Sequence, residues 1–457
     1  MNFALNDTIA AIATPLGEGG IAVVRISGPN SLSIADASFR PVGKTSRAPS
    51  LAPTHTIHFG KIVRQGRILD EVLLAVMRAP RSFTREDVVE ITCHGGLLPA
   101  KLVLDTILQN GARLATPGEF TRRAFLNGRI DLAQAEAVAD LIHSRTELAL
   151  AAANEQLAGK LSQRINLLRD DLMKTLAHVE AHIDFPDEDI APHTREKLIG
   201  QLESAVVFID QLLSTADEGR ILRHGIRAAI IGRPNVGKSS LLNQLLGHDR
   251  AIVSPIPGTT RDTIEETANI RGIPVNFIDT AGLREASDAI EVEGIRRSRG
   301  ALANAEIILH VLDAAEPLTA ADKTFLHEFA QKKRILIRNK IDLPIRLQLP
   351  PGDVAVDVCC LTGKGIEEIK DAIKEKVWAG EIQAGMWQVM INARHQDALQ
   401  RARLALQRTV VALRDGLGLE LAALDLRIAA NAVGEIVGKT TIDDLLDAIF
   451  SQFCIGK

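Results

Sequence analysis

Residues 226–247, IRAAIIGRPNVGKSSLLNQLLG, decide the fold of the middle of the chain. A run of small and branched apolar residues ends at Gly232, and apolar residues recur at helical spacing from Leu241. Between them Gly232, Gly237, Lys238 and Ser239 have the spacing of a GxxxxGK[ST] phosphate loop. Glycines there let backbone N–H groups approach phosphate oxygens at the start of a helix. Lys238 then meets the β- and γ-phosphates and Ser239 ligates Mg2+. Asn235, Val236 and Ser240 complete the candidate loop. The spacing by itself is weak; the strand before it and the helix after it make it specific.

Further along, FIDTAG (277–282) puts Asp279 at a strand end, from which a carboxylate supports Mg2+. Gly282 stands where its N–H can bond the γ-phosphate, with Thr280 and Ala281 between. RNKID (338–342) carries Asn339, Lys340, Ile341 and Asp342 past another strand end. The Asp342 carboxylate can accept two N–H bonds from the Watson–Crick edge of guanine, which adenine cannot offer, so ATP would leave it unpaired. In CCLTGKG (359–365), Cys359, Cys360 and Leu361 stand near the expected last guanine contact. Ser-Ala is usual there, but backbone amides do the binding. These elements together read as a GTP hydrolase. Ras-type enzymes orient the attacking water with a Gln after the Gly of the second motif, and here that residue is Leu283. Glu285, Asp288, Glu291 and Glu293 are all open as the water-orienting group, and Arg261, Arg284 and Arg296 are arginine-finger candidates by position only.

Working outward, residues 226–377 alternate strands with helices and predict a parallel α/β sheet. Residues 8–115 show short apolar runs broken by Gly and Pro, with one helical stretch at 97–108, and predict an α+β domain. From 131 to 183 there is no Pro and only Gly159, which predicts one or two long amphipathic helices. Helical period resumes over 195–219 and again from 393, so the helical parts share one domain into which the α/β domain is inserted. The expected division is 1–120, 121–219, 220–379 and 380–457. The basic cluster at 219–227, GRILRHGIR, reads as a solvated linker before the sheet.

A chain of 457 residues is long enough for several cores. Its four cysteines lack zinc-ligand or disulfide spacing, which suits a reducing, cytoplasmic setting, and no segment reads as a signal peptide or membrane span. Net charge is −4, aromatics are 3% and Tyr is absent, which argues against a self-sufficient binder of single-stranded RNA by base stacking.

GRPNVGKSSLLN, PGTTRD, DTAGLREASD, NKID and a terminal FCIGK together resemble the MnmE (TrmE) family of tRNA wobble-uridine modification GTPases, and the similarity spans the whole chain. GGIAVVRISG, SFTREDVVEI, HGG, PGEFTRRAFLNGRIDLAQAEAVADLI and DFPDED match outside the GTPase part. The resemblance implies a multidomain protein: an N-terminal α+β folate-binding domain that dimerises, an all-α helical domain, and an inserted α/β P-loop GTPase domain. It implies that K+ replaces the arginine finger, held by Asn235, Ser254, Ile256 and Thr259. Pro255, Pro257 and Gly258 lie in that GTP-binding loop, and Thr260 joins Ser239 on Mg2+. The catalytic acid falls on Glu291. Arg25, Glu90, Arg129 and Lys457 fall on the contacts of a formyl- or methylene-tetrahydrofolate, with Arg129 at a position that is often Lys. It further implies activation by G-domain dimerisation and a flavoprotein partner, MnmG (GidA). With that partner the family adds an aminomethyl or carboxymethylaminomethyl group to C5 of the wobble uridine.

Taken without the resemblance, Arg25 reads as an edge-strand surface cation, Glu90 as part of a solvated strand face and His94 as a turn histidine. The C-terminal SQFCIGK is a poor prenylation box, because Gly456 and Lys457 do not suit it. Cys454 is either a buried structural thiol or, by the resemblance, a reactive group beside the folate. Two other functions compete: a ribosome-assembly GTPase of the Era or Der type, and a non-catalytic GTP-gated scaffold with a vestigial folate pocket.

Overall fold

The computed structural model describes residues 6–43, 47–184, 192–247, 266–278, 304–378, 390–440 and 443–457. By its contacts the chain divides into two compact units: Met1–Ala139 with Leu157–Ala191 and Val411–Lys457, and Asp140–Gln156 with Pro192–Val410. The helical portions of the sequence are thus shared between the units.

The first unit is built on a seven-stranded sheet of order β3-β4-β5-β6-β2-β1-β7. The strands are β1 Ile9–Ile12, β2 Ile21–Ser27, β3 Phe39–Pro41, β4 Thr56–Arg64, β5 Arg67–Met77, β6 Val88–His94 and β7 Arg113–Leu114. All neighbours pair antiparallel except β1 with β7. Alternation along β2 sends Ala22, Val24 and Ile26 to one face, where they pack with Ala100, Val103 and Ile107 of helix α2 (Leu97–Gln109). Helix α1 (Ser31–Ser38), which the sequence reading missed, covers the same core with Leu32, Ile34 and Ala35. The other face carries Ile9 and Ala11 against Ala115 and Phe120.

Phe120 belongs to α3 (Glu119–Leu126), which is fixed by a charged knot. Buried Arg123 bonds Asp7, Glu86 and Glu119, and Arg113 Nη2 lies 2.6 Å from Glu119 Oε1. Burial would raise the Glu119 pKa, but the Arg113 hydrogen bond and the Thr116 amide bring it below the ordinary value.

Residues 131–183 form three helices rather than one or two: α4 Leu132–His143, α5 Glu147–Leu157 and α6 Lys160–Asp184. Thr146 Oγ1 accepts from Ala149 N and starts α5, while Gly159 at φ +85° separates α5 from α6. Helices α7 (Pro192–Leu213) and α8 (Ala216–His224) follow.

The second unit carries a six-stranded sheet of order β13-β12-β11-β8-β10-β9. The strands are β8 Ile226–Ile231, β9 Glu266–Ile270, β10 Ile273–Phe277, β11 Ile307–Asp313, β12 Arg334–Asn339 and β13 Ala355–Val358. The pairings are parallel apart from the edge strand β9, which pairs antiparallel with β10 and which the sequence reading did not foresee. Arg271 and Gly272 join them, both at positive φ, as a two-residue hairpin of the favoured hand requires. All seven residues of β11 are buried, as expected of a central strand covered on both faces. Helices α9 (Lys238–Leu246), α10 (Ala320–Glu328) and α11 (Ile366–Val377) belong to this unit. The chain ends through α12 (Ala393–Asp415), α13 (Leu419–Ile436) and α14 (Asp443–Phe450).

The supposed linker at 219–227 is ordered structure. Ile221 and Leu222 are buried in α8, Arg223 Nε lies 2.6 Å from Asp140 Oδ2, and a Cβ on Gly219 would sit 2.5 Å from Ile391 O. Among the described residues no helix is long and apolar enough to cross a membrane.

Candidate functional site

In the second unit, β8 delivers the chain into the phosphate loop and α9 begins at Lys238. Gly232 and Gly237 have φ of +146° and +100°, and a side chain at either would collide, with the Val311 carbonyl at one and with Asn339 Nδ2 at the other. Glycine is therefore required at both on two counts, backbone and space. Lys238 Nζ donates to the carbonyls of Gly232 at 2.9 Å and Arg233 at 2.8 Å, and burial holds its pKa below the ordinary value. Val236 is buried, while Asn235 and Ser240 are exposed and Ser239 is half-buried in the first turn of α9.

Asn339, at the end of β12 and 3% exposed, joins this loop to the predicted base-reading loop. Its Nδ2 donates to Val236 O at 2.8 Å and its Oδ1 accepts from Cys360 N at 3.1 Å. Lys340 Nζ lies 2.6 Å from Asp313 Oδ2. Cys359 Sγ donates to Asp342 Oδ1 at 3.2 Å and orients an otherwise exposed carboxylate. Burial and the adjacent thiol push the Cys360 pKa up to about 11, so this thiol stays protonated. Leu361 is exposed, and the residues around Ile341 complete the loop. Ser254, Pro255, Ile256, Pro257, Gly258, Thr259, Thr260, Asp279, Thr280, Ala281, Gly282 and Glu291 lie outside the described residues.

In the first unit, Arg25 is on β2, which lies between β6 and β1, so it is not the edge-strand cation expected from sequence alone. It faces Glu90 directly in register, with Arg25 Nε 2.7 Å from Glu90 Oε1. Arg25 Nη1 donates to Gly456 O at 3.2 Å, and the guanidinium sits 5.6 Å above the Phe120 ring centroid. The solvated-face reading of Glu90 gives way to this half-buried pair.

Arg129 donates to Ser82 O and lies 5.3 Å from the centroid of Phe83, which packs on the same apolar cluster as Phe120. The tail is held against β1: Gly456 has φ +95°, and a Cβ there would lie 2.5 Å from Ile12 O. Gly118 N donates to Cys454 O at 3.4 Å, and Lys457 N to the same carbonyl at 3.3 Å. Cys454 itself is exposed, which overturns the buried-thiol reading. His94 ends β6 with an exposed ring whose Nδ1 lies 2.6 Å from Asp70 Oδ1.

The structure thus joins Arg25, Glu90 and the C-terminal tail in one place, with Arg129 one ring further along. It also reveals Phe120, Phe83 and the Gly456 carbonyl, which the sequence reading did not assign. The stretch PGEFTRR held the signal for Phe120, since a large aromatic after a tight Gly turn is a strong core candidate in a chain with few aromatics.

Two family descriptions match the chain: "GTP-binding protein TrmE N-terminus" over residues 8–129 and "MnmE helical domain" over residues 132–454. A "tRNA modification GTPase MnmE" of Geobacillus kaustophilus is 48% identical over 99% of both chains. Another of the same name, from Geobacillus thermodenitrificans, is 49% identical over the same shares. A solved G domain of the T. maritima FeoB iron transporter is 25% identical over 33% of this chain and 98% of its own, with a TM-score of 0.24.

Proposed function

Because the chain belongs to the MnmE family of tRNA modification GTPases, we propose that it hydrolyses GTP in a K+-dependent reaction activated by G-domain dimerisation. We propose further that, with a flavoprotein partner of the MnmG (GidA) type, it uses that cycle to add an aminomethyl or carboxymethylaminomethyl group to C5 of the wobble uridine of certain tRNAs. A tetrahydrofolate derivative is the one-carbon donor, the protein acts as a homodimer, and the setting is the cytoplasm.

The observation that carries the GTP reading is Asn339, whose two side-chain bonds make the phosphate loop and the Asp342 loop a single site. Asp342, steadied by the Cys359 thiol, is the carboxylate we assign to the two guanine N–H groups. Lys238 and the N–H groups of the loop bind the phosphates. The Ser239 hydroxyl is a hard oxygen donor at the start of α9, suited to Mg2+ with Thr260. The Asn235 side chain offers one oxygen for K+, and we assign the other ligands to Ser254, Ile256 and Thr259 on the family resemblance. Bound there, the two cations neutralise charge that develops on the phosphates. Glu291 orients the attacking water, a role that Leu283 cannot take.

Arg25 and Glu90 support the folate reading. A guanidinium and a carboxylate, paired at 2.7 Å and each still partly exposed, offer a donor and an acceptor to a pterin-like ring, with the buried Phe120 ring backing the guanidinium. Arg129 and Lys457 add cations for a carboxylate tail.

The test is GTP hydrolysis in KCl against NaCl at equal ionic strength, alongside Glu291→Ala. A rate at least tenfold higher in KCl, lost in Glu291→Ala with GTP affinity kept, is the expected result. Equal rates in the two salts would defeat the cation assignment.

A further inference from the structure

The β9–β10 hairpin has a position that its sequence does not advertise. Its open end, where Glu266 faces Phe277, receives the chain from PGTTRD and passes it on to DTAG. Both segments are assigned above to the nucleotide. One rung in, Thr267 and Asn276 face each other, both buried, and Thr267 Oγ1 donates to Asn276 Oδ1 at 2.8 Å.

Onto this rung comes Arg145, from the short link between α4 and α5. Its Nη1 lies 2.6 Å from Thr267 Oγ1 and 3.4 Å from Asn276 Oδ1. Asn276 Nδ2 then donates to His224 O at 2.9 Å, at the end of α8 and separated from β8 only by Gly225. The proton directions are consistent along the whole chain: guanidinium to hydroxyl, hydroxyl to amide oxygen, amide nitrogen to a helix-terminal carbonyl. Gly225 makes room for it, since a Cβ there would lie 2.9 Å from Asn276 Nδ2.

The same helices grip the hairpin and α8 at other points. Leu148 of α5 packs under the Gly272 turn, where an added Cβ would lie 3.3 Å from it. Arg223 of α8 bonds Asp140 Oδ2 at 2.6 Å and Gln156 Oε1 at 2.8 Å. A displacement of the hairpin's open end must therefore either break the Arg145 bonds or move the α4–α5 link with it.

We propose that Arg145 is a positioning residue that couples the nucleotide site to the α4–α5 helices, through Thr267 and Asn276. Its role is assigned through Thr267 and Asn276, not through a phosphate or base contact. Its effect is to make the register of the hairpin, and hence the anchor points of two nucleotide-contacting segments, common with the helices that flank it. Coupling of this kind needs an element whose arrangement both sides bias, and the bridged rung is that element. This inference rests on the GTPase reading above.

The experiment is amide hydrogen exchange of the full-length protein, nucleotide-free and with a non-hydrolysable GTP analogue, read on peptides spanning residues 140–157. The variants are Arg145→Met, which keeps the apolar stem, Arg145→Lys, which restores one donor, and Thr267→Val, which removes the shared hydroxyl without touching Arg145. The wild type is expected to change exchange rates in these peptides by severalfold on adding the analogue. Arg145→Met and Thr267→Val should bring that ratio close to 1 with analogue affinity within about twofold, and Arg145→Lys should recover part of it. A ratio in both Arg145→Met and Thr267→Val equal to the wild type's, or no change in the wild type itself while it binds the analogue, overturns the coupling. Failure of the wild type to bind or hydrolyse GTP instead overturns the reading on which it stands.

Discussion

His310 shows what a single buried group does to the pH range of the fold. It lies fully buried in the central strand β11, edge-on to Phe325, and among the described residues neither ring nitrogen has a hydrogen-bond partner. Burial, and then the positive charge of Arg334, push its pKa from 6.5 down to about 4. The unfolded chain therefore takes up a proton near pH 6.5 that the folded chain refuses until about pH 4. Stability that is present in full above pH 6.5 is lost as pH falls through that window, by up to about 3 kcal/mol for this one group. Urea unfolding at pH 7 and pH 5 should show the loss in the wild type and a smaller one in His310→Leu; the same slope in both would refute the assignment. Nothing in EIILHVLDA marks this histidine as special, because period and length identify a buried strand without saying what its polar member meets. Arg25 was not legible from strand pattern, and only the family resemblance singled it out, for a related reason. Its role depends on strand order, and an arginine on β2 becomes part of a site only because β6 and β1 flank it. The phosphate loop was legible because its function is carried by local backbone geometry, which Gly232 and Gly237 announce directly.

Among the elements, α10 connects the sheet to the phosphate loop. Thr319 Oγ1 accepts from Asp322 N at 3.3 Å and Asp322 Oδ2 accepts from Thr319 N at 3.0 Å, a reciprocal capping box. The same carboxylate lies 3.0 Å from Arg233 Nε, inside the phosphate loop. Thr319→Ala should cost about 1 kcal/mol of stability in urea unfolding, within the range for loss of an N-cap hydroxyl. No measurable change would mean that Arg233 alone fixes Asp322. The capping signature T-x-x-D was present in LTAADK, as was Thr146 before α5, and reading caps before periodicity would have divided 131–183 correctly. Strand β9 was harder. ETANI has neither strict alternation nor an apolar run, and Arg-Gly is a less familiar hairpin turn than Asn-Gly. Its burial comes from tertiary packing against the core of the second unit, which a local pattern does not express.

At the scale of the whole molecule, the proposed function places two chemistries on one chain. The proposed nucleotide site is organised around Asn339 and Asp342, and the proposed folate site around Arg25, Glu90 and the C-terminal tail. The FCIGK segment is held through its backbone, by the Arg25 bond to the Gly456 carbonyl and the Gly118 amide bond to the Cys454 carbonyl, and the positive φ and close approach to Ile12 require glycine at Gly456. The central claim is that both sites serve the same modification, against the alternative that GTP gates a scaffold with a vestigial pocket. The most direct test is to replace the cell's own copy with wild type, Lys238→Ala or Arg25→Ala, digest purified tRNA to nucleosides, and measure C5-substituted wobble uridine by mass spectrometry. The account predicts the substituted nucleoside with wild type and its loss with either variant, including an Arg25→Ala protein that still hydrolyses GTP. Full modification with Arg25→Ala would contradict it.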